Sequence, residues 1–447
     1  MEHQNNLLEG NVVKTLLKFA GPFLVANLLQ ALYGAADLLI VGQFSSSAEV
    51  SAVATGSQIM QTITGVIVGI NTGATVLIGQ YVGKKKYRSI ADTIGTIICI
   101  FCIIAVILTV VMLMFAGTIT NLMRTPVQAT EYTKQFILIS SCGIPFIVGY
   151  NAVSGILRGL GNSKAPLFFI AVACTINIAL DLILVAGLHM GAPGAAISTI
   201  TAQAVSFILG IIFFAKTGFV FDFNRTHIKL QAAKAKMILK LGLPIALQDG
   251  LVNIAFLAVT AIINTMGLIA SASVGVVEKL IGFTMIPPFA FASAIAVMTA
   301  QNVGAGQPKR AKKSLYIGIG FSLIFGIICC IYSQLNPKSL ISLFSTDRAV
   351  IDTAALYLKS YSIDCILVCF VFCINSFFVG CGNSMFPMVQ SMIATLFIRI
   401  PVPYVLSKMH GVTLYQIGFA SPLASALSIV MCLIYMRYGK WNKSQIN

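Results

Sequence analysis

Residues 158–166 read Arg158-Gly159-Leu160-Gly161-Asn162-Ser163-Lys164-Ala165-Pro166, and the pattern returns 221 positions later as Gly380-Cys381-Gly382-Asn383-Ser384 with Pro387. Two further matches keep nearly the same offset. Gln80, Val82 and Gly83 recur as Gln301, Val303 and Gly304 at 221, and Leu17-Lys18 with Pro22 recur as Leu239-Lys240 with Pro244 at 222. The offset is about half of the 447 residues. A single offset shared by separate motifs is the mark of duplication, so the fold is decided by what one half contains.

Each half is apolar. Hydrophobic residues make up 57% of the chain and charged residues 9%, with a mean hydropathy of +0.92. Soluble domains carry roughly 25% charged residues. A soluble enzyme and a disordered chain are both excluded, which leaves a polytopic membrane protein. A bilayer-crossing helix needs about 20 largely apolar residues. Such runs fall near 13–41, 51–82, 93–116, 133–157, 166–188 and 194–216, then near 238–265, 270–300, 314–335, 355–380, 386–407 and 412–437. The runs at 51–82 and 270–300 are rich in Gly, Ser and Thr, which suits close helix packing, with Gly65, Gly69 and Gly73 spaced for it. The sequence therefore predicts an all-α protein of twelve transmembrane helices in two six-helix lobes. An even number per lobe means that both enter the membrane from one side, related by a pseudo-two-fold along the membrane normal. The expected boundaries are 1–216 for the first lobe, 217–236 for a cytoplasmic linker holding Asp222, Asn224, Arg225 and His227, and 237–447 for the second.

The charges sort by position. There are 29 Lys+Arg against 13 Asp+Glu, a net charge of +16. The basic residues sit in short loops between apolar runs, as at 84–88 and 309–313, rather than on a polar face interleaved with aromatics, so no nucleic acid is expected. With the N-terminus inside, the cytoplasmic loops and termini hold 21 Lys/Arg and the opposite loops 6, Lys279 and Arg399 falling within spans. That imbalance predicts a multi-pass protein of the plasma membrane with both termini in the cytoplasm. Met1 to Gly10 lacks the basic region and small-residue site of a cleavable leader. The 11 cysteines form no framework. Cys365, Cys369 and Cys373 make one helical stripe without a histidine nearby, and read as reduced small hydrophobes.

Ionisable groups at membrane depth are costly and usually functional. Asp37 shares a face of the first span with Asn27, Gln30 and Gly34; Asn177 and Asp181 lie one turn apart on the fifth; Thr199 and Gln203 do so on the sixth. Carboxylates with amide and hydroxyl oxygens suit Na⁺, and two carboxyls in a low dielectric resist being ionised together, which suits proton exchange. The plainer reading, that each Asp only ties its helix to a neighbour, explains one such residue better than two flanked by amides. The second half has other acids, Asp249, Glu278 and Asp364. Asp249, Asn253, Thr260 and Asn264 follow one helical face; Glu278 adjoins Lys279, which either neutralises it or extends to the interface; Arg399, among Pro401 and Pro403, is expected to pair with a carboxylate. At the 221 offset Asn177 and Asp181 meet Ile398 and Val402, so the ion constellation is not duplicated. Asp249, Asn253, Glu278, Asp364 and Gln203 stand instead as substrate-binding candidates. No phosphate-binding Gly-x-x-x-x-Gly-Lys-Ser/Thr loop occurs, and Gly304-Ala305-Gly306 reads as a helix-ending turn. The 4 His lie near loops, so neither enzyme chemistry nor a cofactor is expected beyond a coupling ion, Na⁺ or H⁺.

These residues resemble one family over essentially the whole chain: the bacterial multidrug and toxic compound extrusion (MATE) transporters. The likeness rests on twelve spans in two halves, on Gly79-Gln80-Tyr81-Val82-Gly83 ending span two, and on Arg158-Gly159-Leu160-Gly161-Asn162-Ser163 ending span four. Gln30 with Asp37 and Asn177 with Asp181 look like the N-lobe cation or proton site of its DinF-like members. Thr199 matches that site's sixth-span hydroxyl and Asn151 its fourth-span amide. The resemblance implies a pair of lobes that export cationic or amphipathic small molecules across the lipid bilayer in exchange for Na⁺ or H⁺, as a monomer. The second-half acids match the NorM-like branch less well; Asp364 lies on span ten, as one of that branch's acids does, in different surroundings. Two other functions compete. A flippase of lipid-linked oligosaccharides in the same superfamily would have extra spans and a cavity ringed with Arg and Lys, where this chain has only Lys279 and Arg399 at depth. A non-transporting scaffold would have no use for buried carboxylates beside amides.

Overall fold

In the computed structural model the repeated Gly-Asn-Ser motif is a helix end joined to a helix start. Gly161 takes φ +90°, the Asn162 N–H donates to Leu157 O at 2.8 Å and the Gly161 N–H to Arg158 O at 2.9 Å. This is the glycine-dependent C-terminal turn that satisfies the last helical carbonyls. The Asn162 side chain then accepts from Lys164 N and Ala165 N, both at 3.1 Å, capping the next helix. The second copy repeats the device, with Gly382 at φ +90° and Asn383 N donating to Phe378 O at 2.9 Å. The Gly304-Ala305-Gly306 stretch is likewise a helix end, with Gly306 at φ +71°. Its counterpart 221 positions earlier is Lys85, held at φ +55° without a glycine's freedom.

The structure describes residues 7–123, 125–219, 221–439 and 441; the first six residues of the segment read for a leader, and Arg124, Lys440 and Lys443, lie outside them. Among the described residues, ten helices are long and apolar enough to cross a membrane, and two bent pairs bring the number to 12. In chain order these are α1 (Val12–Phe44), α2 (Ser47–Gly83), α3 (Tyr87–Leu122), α4 (Val127–Cys142 with Ile144–Gly159), α5 (Lys164–Gly187) and α6 (Gly191–Thr217). The second half supplies α7 (Ala232–Asn264), α8 (Leu268–Thr284, then Ile286–Gly304), α9 (Pro308–Leu335), α10 (Arg348–Tyr361 with Asp364–Gly380), α11 (Met385–Ser407) and α12 (Leu414–Tyr438). The chain is all-helical and polytopic.

The breaks have local causes. Pro145, one residue into the second part of α4, has no N–H to give the preceding turn, and α4 bends by 48° at Gly143. The bend of 45° in α10 falls just before Asp364, the position that matches Gly143 in the repeat. Pro287 and Pro288 break α8 at Met285. Two spans carry a wider π-turn, α5 over Leu182–Gly187 and α11 over Thr395–Arg399; such bulges recur at functional sites.

The helices form two compact units: one takes Val25–Ala246, the other Leu7–Leu24 and the residues from Leu247 onward. α1 and α7 are thus each divided along their length. In the first unit Gly69 and Gly73 of α2 face α7 so closely that an added Cβ would lie 2.6 Å from Ala246 Cα and 2.5 Å from Gly242 N. Gly65, of the same spacing, faces nothing within 4 Å. In the second unit Leu16, Phe19 and Phe23 of α1 join a core with Ile295, Met298, Phe377 and Phe378. Arg310 fastens the segment before α1 there, donating to Leu7 O at 3.3 Å, Glu9 O at 2.6 Å and Gly10 O at 2.7 Å.

Candidate functional site

The first unit brings together acids from distant parts of the sequence. Asp37 stands on α1, 8% exposed. Asn177 and Asp181, both 0% exposed, lie one turn apart at the end of the regular part of α5, directly before its π-turn. The Asp37 carboxyl lies beside the Asp181 carboxyl and the Asn177 amide. Thr199 on α6 donates to Asp37 Oδ2 at 3.4 Å and to Ala195 O at 2.9 Å. One proton serves two acceptors, so neither bond is complete.

The remaining polar atoms are unsatisfied. Asp37 Oδ1, both Asp181 oxygens, both amide atoms of Asn177 and Gln203 Oε1 are buried without a hydrogen-bond partner. Leaving a buried polar group unpaired costs about 1–3 kcal/mol, more for a charge, so this cluster is incomplete as it stands. Its donor set is oxygen from carboxylate, amide and hydroxyl, chemistry that fits a hard monovalent cation or a bound proton. Among the described residues no group of three or more His, Cys, Asp and Glu could hold a metal ion.

The other sequence candidates are placed differently. The Tyr33 hydroxyl, one turn before Asp37, lies beside Thr199 and Gln203, which draws Gln203 into the same cluster. Tyr33 is a member that the sequence reading missed, although the four-residue spacing that linked Asn177 to Asp181 also links Tyr33 to Asp37. Gln30 is exposed on α1 and makes no hydrogen bond to either acid. Asn151 is half-buried, and its amide donates to Ile147 O of its own helix at 2.8 Å.

The second unit holds its acids apart. Asp249 and Asn253 on α7 are exposed, the Asn253 amide donating to the Asp249 main-chain oxygen at 3.0 Å. Thr260 donates to Glu278 Oε1 at 3.2 Å. Lys279 is exposed and makes no ion pair with Glu278; an ion pair lies elsewhere on the surface, between Lys338 and Asp352 at 2.5 Å. Asp364 is 1% exposed and neither carboxyl oxygen has a hydrogen-bond partner. Arg399, from the α11 π-turn, is the cation whose charge reaches it, with Tyr357 and Tyr361 close to both. The Arg399 guanidinium lies 5.6 Å from the Phe256 ring centre.

Comparison with known proteins agrees with this architecture. The MatE family model matches the chain twice, over residues 22–183 and 244–405, two copies of equal length at the spacing of the sequence repeats. Asp37, Asn177 and Asp181 fall in the first copy. The chain is 26% identical over 443 residues to the probable multidrug resistance protein YoeA of Bacillus subtilis, covering 98% of this chain and 96% of the relative. It is 27% identical over 439 residues to the probable multidrug resistance protein YpnP of the same organism, with 98% of each covered. In fold it is similar to a solved outward-facing conformation of a multidrug resistance MATE family transporter of the MOP superfamily, at a TM-score of 0.92 with 99% of both chains covered and 19% identity. The twofold match spans most of the sequence, and the chain belongs to the MatE family, a family of membrane transporters and not of enzymes.

Proposed function

We propose that this protein is a secondary active multidrug exporter that expels cationic or amphipathic compounds by alternating access in exchange for Na⁺ or H⁺. The observation that carries the reading is the pair of buried carboxyls, Asp37 and Asp181, side by side with oxygen atoms unsatisfied and, among the described residues, no Lys or Arg at ion-pair distance. A cation or proton entering there would complete them. Asn177 and Thr199 would share in holding the ion, with Tyr33 and Gln203 at its margin; Gln30 and Asn151 would join only after a change of conformation. Asp249, Asn253, Glu278 and Asp364 would attract a cationic substrate. The names of the relatives, as multidrug resistance proteins, support the substrate class.

The moving element in this reading is α1, which carries Asp37 and has Pro22 within its helical run. Proline leaves one turn short of a hydrogen bond and lets a helix bend. Ion binding at Asp37 would reposition α1 through Gly21-Pro22 and Gly34 and drive substrate outward. The repeats 1–216 and 237–447, joined by 217–236, would be the two lobes of a monomer in the plasma membrane, with both termini in the cytoplasm.

The test is ethidium efflux from proteoliposomes under a Na⁺ gradient alone, then a pH gradient alone. One of the two should drive efflux in the native protein, and Asp37→Asn and Asp181→Asn should each abolish it. Full gradient-driven efflux in either variant would remove that residue from the coupling site.

A further inference from the structure

Three charges of the second unit meet where α7, α8, α10 and α11 converge. Thr260 of α7 shares its hydroxyl proton between the Phe256 main-chain oxygen one turn earlier, at 2.9 Å, and Glu278 Oε1 of α8, at 3.2 Å. The Arg399 guanidinium, presented by the π-turn of α11, lies 5.6 Å from the Phe256 ring centre. Residues four apart share a helix face, so Glu278 and Arg399 stand against adjacent turns of α7. On α10, Tyr357 and Tyr361 hold their rings 5.8 Å apart. The charges of Arg399 and Asp364 reach both phenols, and that of Glu278 reaches Tyr357.

The three groups differ in access and are not bonded to one another. Asp364 is closed off, whereas Glu278 and Arg399 are half-buried. Among the described residues no ion pair within 4.0 Å joins the guanidinium to either acid. Both Asp364 carboxyl oxygens and Arg399 Nε are buried without a hydrogen-bond partner. Arg399 therefore acts on the acids through its field. With both acids ionised the cluster carries one net negative charge; Asp249 and Lys279, exposed and of opposite sign, add none. At the 221 offset Glu278, Asp364 and Arg399 meet Ser57, Gly143 and Ile178, so the first copy builds the same scaffold with none of the three charges. Packing does not require them, and charge held at depth without a partner points to a charged ligand.

We propose that Arg399 determines the charge of the compound that the second unit accepts: it offsets Asp364 and leaves Glu278 for a single positive charge. The unit then takes organic monocations in preference to dications, because a second cationic group would meet the guanidinium with no acid left to balance it. This deepens the exporter reading, on which it rests for the identity of the ligand as the exported compound; the selection by charge is a property of binding.

Ethidium and propidium share a phenanthridinium ring and differ by one added ammonium group, so their binding to the purified full chain in a nonionic detergent, followed by fluorescence anisotropy without any gradient, isolates charge. The native protein should bind ethidium more tightly. A unit charge about 10 Å away in an effective dielectric of about 20 is worth on the order of tenfold, and Arg399→Gln should shift the preference toward propidium by that factor. Arg399→Lys should keep the native preference. Adding Glu278→Gln to Arg399→Gln returns the net charge to its native value and should return the native preference, which loss of fold would not do. Glu278→Gln alone should weaken ethidium binding, again on the order of tenfold. Binding of neither dye by the native protein, an unshifted ratio in Arg399→Gln, or a ratio that stays shifted in the double variant would overturn the proposal. The expected binding pattern without gradient-driven efflux of either dye would uphold it and remove the exporter reading.

Discussion

Gly73→Ala probes the packing that holds α7 within the first unit. The added methyl would lie 2.5 Å from Gly242 N, 2.7 Å from Ile238 O and 2.8 Å from Gly242 Cα. All three are backbone atoms, so no side-chain rotation relieves the contact. Ordinary carbon contacts fall at about 3.5–4.0 Å, so α2 and α7 must part by about 1 Å. Overpacking of this kind costs about 1–3 kcal/mol. Alanine's helix propensity returns about 1 kcal/mol, and Gly65→Ala, with nothing within 4 Å of its new methyl, measures that return alone. The difference between the two variants is therefore the clash, about 1–3 kcal/mol. Thermal unfolding in detergent can be followed with a thiol-reactive fluorophore, in a background with the exposed Cys102 and Cys142 replaced by Ser, because Cys174, 8% exposed, belongs to the first unit and gains reactivity as that unit opens. Gly73→Ala should melt below Gly65→Ala by roughly 2 °C or more. If the two melt together, the helices yield freely and the close contact carries no stability.

Lys85→Gly should raise the melting temperature, because Lys85 holds φ +55° where the matching Gly306 holds +71°; relief of the left-handed strain is worth about 0.5–1 kcal/mol after the added freedom of the unfolded chain is subtracted. An unchanged or lower melting temperature would show that the turn is unstrained. Thr199→Val removes the hydroxyl that reaches Asp37 at 3.4 Å, a loss of about 1 kcal/mol that should raise the coupling-ion concentration at half-maximal efflux about fivefold; an unaltered ion dependence takes Thr199 out of the site. Cysteines placed at Lys85 and Lys312, in a background with the exposed Cys102 and Cys142 replaced by Ser, should react with a membrane-impermeant maleimide only after cells are permeabilised. Reaction in intact cells would reverse the proposed orientation.

The elements were legible where the sequence carried local chemistry. Twelve apolar runs gave the spans, and the Gly-Asn-Ser copies gave helix ends because a left-handed glycine and a capping asparagine act within a few residues. The bend of α4 could have been read from Gly143 and Pro145. That of α10 could not, since residues 361–365 hold neither glycine nor proline. The division of α1 at Leu24 and of α7 at Ala246 was also hidden: an unbroken apolar helix carries no mark of which partner each turn packs against. Spacing singled out Asp37, Asn177, Asp181 and Thr199, which the structure places side by side, because buried carboxylates are conspicuous among apolar residues. Helical phase also named Gln30, which shares the Asp37 face and is exposed in this conformation. It fixes a direction along the helix and says nothing of what stands there.

The two copies show what divergence has done to one scaffold. In the first, Gly143 sits at the bend of α4 and Asn177 and Asp181 look onto Asp37, so the acids collect, and among the described residues the charge that acts on Asp37 is that of Asp181 and not of a Lys or Arg. In the second, the residue at the same bend is Asp364, and the α11 π-turn presents Arg399 where the first copy has Ile178. The second unit thus brings the charge of Arg399 to bear on its most buried acid, although the two stand beyond ion-pair distance. A built-in guanidinium does not leave, whereas a site of carboxyl, amide and hydroxyl oxygens can exchange its charge with the surroundings. Coupling needs exchange, and that asymmetry supports placing the ion at Asp37 and Asp181 rather than at Asp364.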